Sequence, residues 1–190
     1  MIDGCYSHLV TGRAPLQMRQ IVRPQQIGDD LTRELIDCWV TVSNAGGAVG
    51  FPFPPVTAAE IAPVAEQLIA GLDGMRSRLV LAMADGVLAG WLNIRRDPHP
   101  LVAHWGTLHH VQSHPAYRGR GVGTALMRHA RRVARDEMGL EQLHLAARSG
   151  MGLEEFYGRL GYKEIGRRQG AYRLGPGDDR DEVLMALAPL

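Results

Sequence analysis

The stretch His114-Pro115-Ala116-Tyr117-Arg118-Gly119-Arg120-Gly121-Val122-Gly123-Thr124 joins a run of strand character, His104 to about Ser113, to a run of helical character. The helical run carries Val122, Leu126, Ala130 and Val133 on one stripe, reaches about Glu137 and stops at Gly139. Glycines at 119, 121 and 123 remove side chains where the backbone has to bend and where a ligand can approach it closely. The first amides of a helix have no partner inside it, and the helix dipole puts partial positive charge at that end. A pyrophosphate satisfies both, and Arg118 and Arg120 can add charge-assisted hydrogen bonds.

Two other glycine-rich phosphate turns do not fit this stretch. The dinucleotide fingerprint needs a glycine three residues after its second glycine, and Thr124 stands there; the P-loop needs a lysine, and the stretch has none. A nucleotide-binding regulator built on the same turn remains open.

Working outward, 190 residues suffice for one full-sized domain, and the reading is a leader over 1–15 followed by a single domain over 16–190. Hydrophobic residues at 45% and charged residues at 22% are ordinary globular values and exclude wholesale disorder. Twenty-one basic residues, of which only Lys163 is lysine, face twenty acidic ones for a net +1. That balance argues against a nucleic-acid or membrane-surface binder, which shows a basic excess. Cys5 and Cys38 make no disulfide framework and have no metal-ligand spacing around them, so no metal site and a reducing, cytoplasmic compartment are expected. Residues 1–15 lack the pattern of a signal peptide, and no apolar run approaches a membrane span. The eight methionines read as core filler.

Along the chain, Leu16–Val22 reads as a strand and Asp29 or Asp30 caps a helix to about Val40. A loop rich in glycine and proline follows over 43–55. Thr57 and Glu60 form a capping box for a second helix to Gly71. Arg78–Ala84 and Val87–Ile94 are strands joined by the Asp85-Gly86 hairpin turn. After the long helix come a strand Gln142–Ala147, a short helix Leu153–Leu160, a strand Tyr162–Arg168, a turn over 175–179 and a last strand Glu182–Ala188. The order describes a mixed α/β domain.

Arg118-x-x-Gly121-x-Gly123 after a strand resembles the acyl-CoA signature of the GNAT superfamily of N-acetyltransferases, Arg/Gln-x-x-Gly-x-Gly/Ala. Glu154-Glu155-Phe156-Tyr157-Gly158-Arg159-Leu160-Gly161-Tyr162 resembles the same family's helix ending in a tyrosine and a Leu-Gly-Phe/Tyr turn. The spacing of the two motifs and the element order from Leu16 onward fit as well. A narrower similarity, to acetyltransferases of the tabtoxin-resistance type, rests on Gly46-Gly47-Ala48-Val49-Gly50-Phe51, on Leu143-His144-Leu145 and on Glu154-x-Phe156-Tyr157. Where that group carries a strand glutamate and a strand aspartate as proton acceptors, this chain has Thr107 and Ala146, so neither base nor substrate carries over.

The resemblance implies a mixed, mostly antiparallel, splayed sheet flanked by helices, acetyl-CoA as co-substrate, and transfer of acetyl to a primary amine by direct attack. It implies that the pantetheine arm bonds the strand backbone at Val111, Gln112 and Ser113. The pyrophosphate would sit on the amides of Gly119, Arg120, Gly121, Val122, Gly123 and Thr124, with Tyr157 near the thioester sulfur as general acid. A homodimer is the default assembly for such enzymes.

Direct transfer also needs a group that takes a proton from the amine. His109 and His110 lie on the strand entering the cofactor site; His109 shares parity with Thr107 and is the preferred base. Asp178, Asp179, Asp181 and Glu182 form an acidic turn that can bind a cationic amine or simply face solvent. Arg128, Arg131, Arg132 and Arg135 read as a solvated helix face, with the 3′-phosphate of CoA as a second use for one of them. The rival from another class is an acyl-CoA-binding module without turnover, favoured by the missing strand carboxylates and disfavoured by Tyr157. The acceptor, a small-molecule or peptide amine, is not readable from the sequence.

Overall fold

The run Arg78-Leu79-Val80-Leu81-Ala82-Met83-Ala84 has no polar face, which demands cover on both sides of the strand it forms. In the computed structural model, which describes residues 15–47, 50–51 and 54–190, that cover is present. Val80, Ala82 and Ala84 pack into one core and Leu79, Leu81 and Met83 into another on the opposite face. The strand, β2 (Ser77–Ala84), lies between β1 (Gln17–Ile21) and β3 (Val87–Arg96), all antiparallel. The leader expected over 1–15 falls, apart from Pro15, outside the described residues, as do Cys5 and positions 48, 49, 52 and 53 of the 43–55 loop.

The second core is closed by α1 (Asp29–Asn44) and α2 (Ala58–Ala70) through Leu35, Trp39, Val42, Ile61 and Ala65. The capping box at α2 forms as read: the Thr57 backbone N–H and hydroxyl both donate to Glu60 Oε2, at 2.8 and 2.7 Å. α1 runs one turn past the expected end, because Val42 and Ser43 are buried and Asn44 has a structural task. The Asn44 amide donates to the Val56 carbonyl at 3.0 Å and accepts from the Val56 N–H at 2.7 Å, pinning the far end of the loop to the end of the helix. Cys38 lies in this core, and burial pushes its thiol up to about 12, so it is no nucleophile.

The first core is closed by α3 (Val122–Arg132), whose Val122, Leu126 and Ala130 are buried as the stripe requires. The helix read as continuous to Glu137 instead widens to a π turn over Val133–Glu137. Then come β5 (Gln142–Arg148), α4 (Leu153–Arg159), β6 (Lys163–Gly175) and β7 (Asp178–Leu187). With β4 (Trp105–Ser113) they complete a seven-stranded sheet ordered β1-β2-β3-β4-β5-β7-β6. All neighbours are antiparallel except β4 and β5.

β6 and β7 reach well past their expected ends, so the turn read at 175–179 shrinks to the link between Gly175 and Asp178. Among the described residues no helix is long and apolar enough to cross a membrane. Replacing Asn44 by alanine strips the buried Val56 backbone of both partners. It is expected to lower unfolding free energy by about 1–3 kcal/mol in a denaturant titration, the cost of leaving such groups unpaired.

Candidate active site

The site begins where two strands part. β4 and β5 pair only at Trp105–Gln142, Gly106–Leu143 and Thr107–His144. From Leu108 onward β4 keeps its ladder with β3 on one side, while its other edge has no strand against it. Between Trp91 and Asn93 of β3 the register shifts, and opposite that shift His110 stands in the left-handed region at φ 53. An extra residue in one strand bends and twists it, which turns the end of β4 away from β5.

A non-glycine residue in that conformation costs of the order of 1 kcal/mol and needs surroundings that hold it. The His110 ring lies 4.5 Å from the Trp39 ring and 5.8 Å from that of Trp91, with Trp39 and Trp91 themselves 5.1 Å apart. Both tryptophans are buried.

The gap between the strands is a cleft of about 550 Å³. Of the residues expected at a cofactor, Val111, Ser113, Arg118, Gly119, Gly121, Val122, Gly123 and Thr124 line it. Gln112 and Arg120 do not. Gln112 turns its side chain into the protein with neither amide atom bonded, and the Arg120 guanidinium lies over the Tyr117 ring at 5.1 Å. Gly119 and Gly121 have φ 73 and 76, a backbone that side chains rarely adopt. Gly121 is the N-cap of α3, so its bend sets the direction in which the first helical amides point. At Gly123 the demand is spatial: a Cβ there would stand 3.2 Å from Phe156 Cζ and 3.4 Å from Ser113 Oγ, in the gap between α3, α4 and β4. A bare helix N-terminus, Arg118 and an open strand edge in one cleft suit a long ligand with an anionic group at one end and amides along its length.

Tyr157 projects from α4 into the same cleft and is 6% exposed. Its hydroxyl has no hydrogen-bond partner among the described residues, and burial pushes its pKa up to about 12. It therefore keeps its proton throughout the neutral range and is placed to donate a hydrogen bond to whatever enters.

The two strand histidines separate. His109 is a neighbour of Asn93 in the ladder and does not line the cleft; burial, then the charge of Arg95, hold it below the usual histidine value. His110, its ring centroid 6.1 Å away, does line the cleft. Alternation assigns the two to opposite faces, and the bulge breaks that alternation. Thr107 ends the β4–β5 pairing and Ala146 lines the cleft, and neither side chain can take up a proton.

The acidic turn is neither free nor merely solvated. Asp178 pairs with Arg180, Asp179 with Arg173 at 2.8 Å, Asp181 with Arg167 at 3.0 Å and Glu182 with Arg168 at 2.7 Å. On the helix face Arg132 pairs with Glu137 and Arg135 with Asp136. Arg128 and Arg131 line a separate cavity of about 200 Å³. Among the described residues no group of three or more histidine, cysteine or acidic side chains is placed to hold a metal ion.

One cleft residue was not singled out from the sequence. Arg148, at the end of β5, lines the cleft as well. Its parity with Ala146 along Leu143-His144-Leu145-Ala146-Ala147-Arg148 was the signal that could have found it.

Comparison with known proteins agrees with this geometry. The profile of the acetyltransferase (GNAT) family matches residues 30–162. A mycothiol acetyltransferase of Thermomonospora curvata is 43% identical over 75 residues, 40% of this chain and 24% of that protein. A second, from Nocardia farcinica, is 41% identical over 73 residues. The chain spans about a quarter of the length of these curated relatives. Among solved structures, an acetyltransferase of the GNAT family from Streptococcus pneumoniae aligns over 92% of this chain and 99% of its own, with a TM-score of 0.69 and 20% identity. A Salmonella typhimurium protein solved with its cofactor acetyl-CoA aligns over 92% and 94%, with a TM-score of 0.70 and 14% identity. At those identities the structures establish the fold: a mixed α/β architecture with a splayed, mostly antiparallel sheet.

Proposed function

Because the chain belongs to the acetyltransferase (GNAT) family, we propose that it binds acetyl-CoA in the split between β4 and β5 and transfers the acetyl group to a primary amine by direct attack. The observation that carries the reading is one cleft that holds the glycine turn of α3, the open edge of β4 and the Tyr157 hydroxyl together. Gly119–Thr124 and Arg118 would hold the pyrophosphate, and the β4 backbone at 111–113 would bond the pantetheine amides. Bound there, acetyl-CoA supplies an activated thioester carbonyl.

This chain's residues then have three tasks. The packed walls of the cleft fix the approach of the amine, which replaces a bimolecular encounter by an oriented one. The Tyr157 hydroxyl donates to the departing sulfur. Its pKa of about 12 lies above the ~8.5 of a thiol, so it keeps its proton and acts by a hydrogen bond that strengthens as charge builds on sulfur, and the released thiolate takes its proton from solvent. A neutral imidazole takes the proton released by the amine. His109 is the base the sequence indicates, and burial and Arg95 keep it neutral at pH 7. His110 is the second assignment, favoured by its place on the cleft wall.

The rival reading, an acyl-CoA-binding module without turnover, draws on the uncharged Thr107 and Ala146. It expects acetyl-CoA binding with no release of free thiol across an amine panel.

Two measurements check the proposal. Calorimetric titration with acetyl-CoA is expected to show micromolar binding. Binding should be lost in Gly121→Val, which puts a β-branched residue at φ 76, and in Gly123→Leu, which fills the gap beside Phe156. No binding to the wild-type protein at millimolar ligand sinks the acetyltransferase reading. Tyr157→Phe is expected to lower kcat roughly 100-fold with acetyl-CoA affinity little changed, and an unchanged kcat removes the acid role. With His109 as the base, whose imidazole is held below the usual histidine value by burial and by Arg95, kcat/KM should fall as pH drops through that lowered value and the ring becomes protonated. Of His109→Gln and His110→Gln, the variant that abolishes this acidic limb identifies the base.

A further inference from the structure

Resting on the acetyltransferase reading, we propose that the acceptor amine carries an acidic group, a carboxylate in the first instance, and that Arg148 binds it.

A second cavity, of about 370 Å³, lies beside the cleft between Phe51 and the β6–β7 arm, with Tyr172 and Leu174 among its walls. Ala146 and Arg148 line both spaces, so they mark where the two meet. A molecule that reaches the cleft from this side passes the Arg148 guanidinium.

Arg148 is half-buried and bonded to weak or neutral partners only. Its Nη2 donates to the Gly46 carbonyl at 3.2 Å, and Nε and Nη2 meet the Met151 thioether at 3.3 and 3.2 Å. A thioether is a poor acceptor, and no carboxylate lies within ion-pair distance among the described residues. Its cross-strand neighbour Glu182 is already engaged: it pairs with Arg168 at 2.7 Å and accepts from the Tyr172 hydroxyl at 2.9 Å.

The other charges around the cavity are paired in the same way. Arg173, on its wall, is spent on Asp179, and Asp178 and Asp181 are held by Arg180 and Arg167. The undescribed positions of the neighbouring loop, Ala48, Val49, Pro52 and Phe53, bring no charge. Among the described residues the acceptor space therefore offers a cation no free anion and offers an anion one guanidinium, beside the aromatic walls of Phe51 and Tyr172. A partly desolvated guanidinium without an anionic partner is a site for a bidentate carboxylate or phosphoryl group. Polyamines, which carry only positive charge, meet the wrong sign.

The experiment compares amines that differ in one carboxylate. L-phenylalanine with phenethylamine, and L-methionine with 3-methylthiopropylamine, are tested as acceptors beside spermidine, with thiol release as readout. Calorimetric binding of each amine to CoA-saturated protein is the second readout. The acid-bearing member of at least one pair is expected to be preferred by roughly 10–100-fold in kcat/KM, the worth of a hydrogen-bonded charge pair. Arg148→Met should raise its KM by a similar factor and leave the decarboxylated amine nearly unchanged, while Arg148→Lys restores part of the loss; thermal unfolding shows that the variants fold.

Equal use of both members of each pair overturns the proposal, as does an equal loss for both in Arg148→Met. So does the absence of both binding and turnover for the acid-bearing amines. Failure of acetyl-CoA itself to bind overturns the underlying acetyltransferase reading instead, so the two failures are distinct.

Discussion

The parallel pairing of β4 with β5 lasts for three residues and then stops, and the site follows from that. Parallel neighbours need a crossover, and α3 supplies it, so the N-terminus of α3 arrives at the carboxyl end of β4. In open sheets this end, beside a change of strand direction, is where backbone groups are left to face a ligand. Here the sheet supplies an open strand edge and the crossover supplies a helix N-terminus. Neither could hold a long ligand alone, and the split puts them a few residues apart in sequence, Ser113 to Gly121.

A split in a sheet has to be held open, since unpaired strand edges otherwise find partners. The His110 bulge does so from the β3 side, and the cost of its backbone is met by packing against Trp39 and Trp91. Trp39 belongs to α1 and Trp91 to β3, so the second core, remote from the glycine turn, fixes the shape of the cleft. From the other side, α4 is held by Tyr157, whose ring lies 5.9 Å from that of Tyr162. The proposed acid is thus a core residue with one polar end on the cleft, and burial among aromatic rings explains its raised pKa.

What could be read in the sequence was what acts locally. The glycine turn, the stripe of α3 and the Thr57–Glu60 cap each need only a few neighbouring residues, and each forms where it was expected. The bulge at His110 was not legible: alternation counts residues and cannot say which one the ladder skips. Nor was the π turn, which leaves the apolar stripe intact. The length of β6 was hidden for a different reason. Between Lys163 and Gly175 no residue is buried and most are exposed, so no apolar period marks a strand. Its ladder is tied by the pairs Arg167–Asp181, Arg168–Glu182 and Arg173–Asp179, contacts between residues six to fourteen apart. Any one exposed pair contributes little; as a set they fix the register of the arm that walls the acceptor side.

Those pairs also settle the electrostatics of the site. An acidic turn read alone suggests affinity for a cationic amine, but each of its carboxylates is matched by an arginine from the same arm or from β7 itself. Tyr172 is held in its neutral form by burial and by its hydrogen bond to Glu182, which push its pKa to about 12, and Tyr157 is neutral by burial. Burial also keeps His109 neutral at pH 7, with Arg95 further disfavouring its cation. Among the described residues, the tyrosines and carboxylates around the point where the two cavities meet are therefore held uncharged or paired, while Arg148 has no anionic partner. A half-buried guanidinium bonded to a thioether and a carbonyl has given up water without gaining an anion. Ground-state desolvation of that kind is repaid when an anionic group arrives, which makes selectivity for such an acceptor a consequence of how the rest of the arm is neutralised.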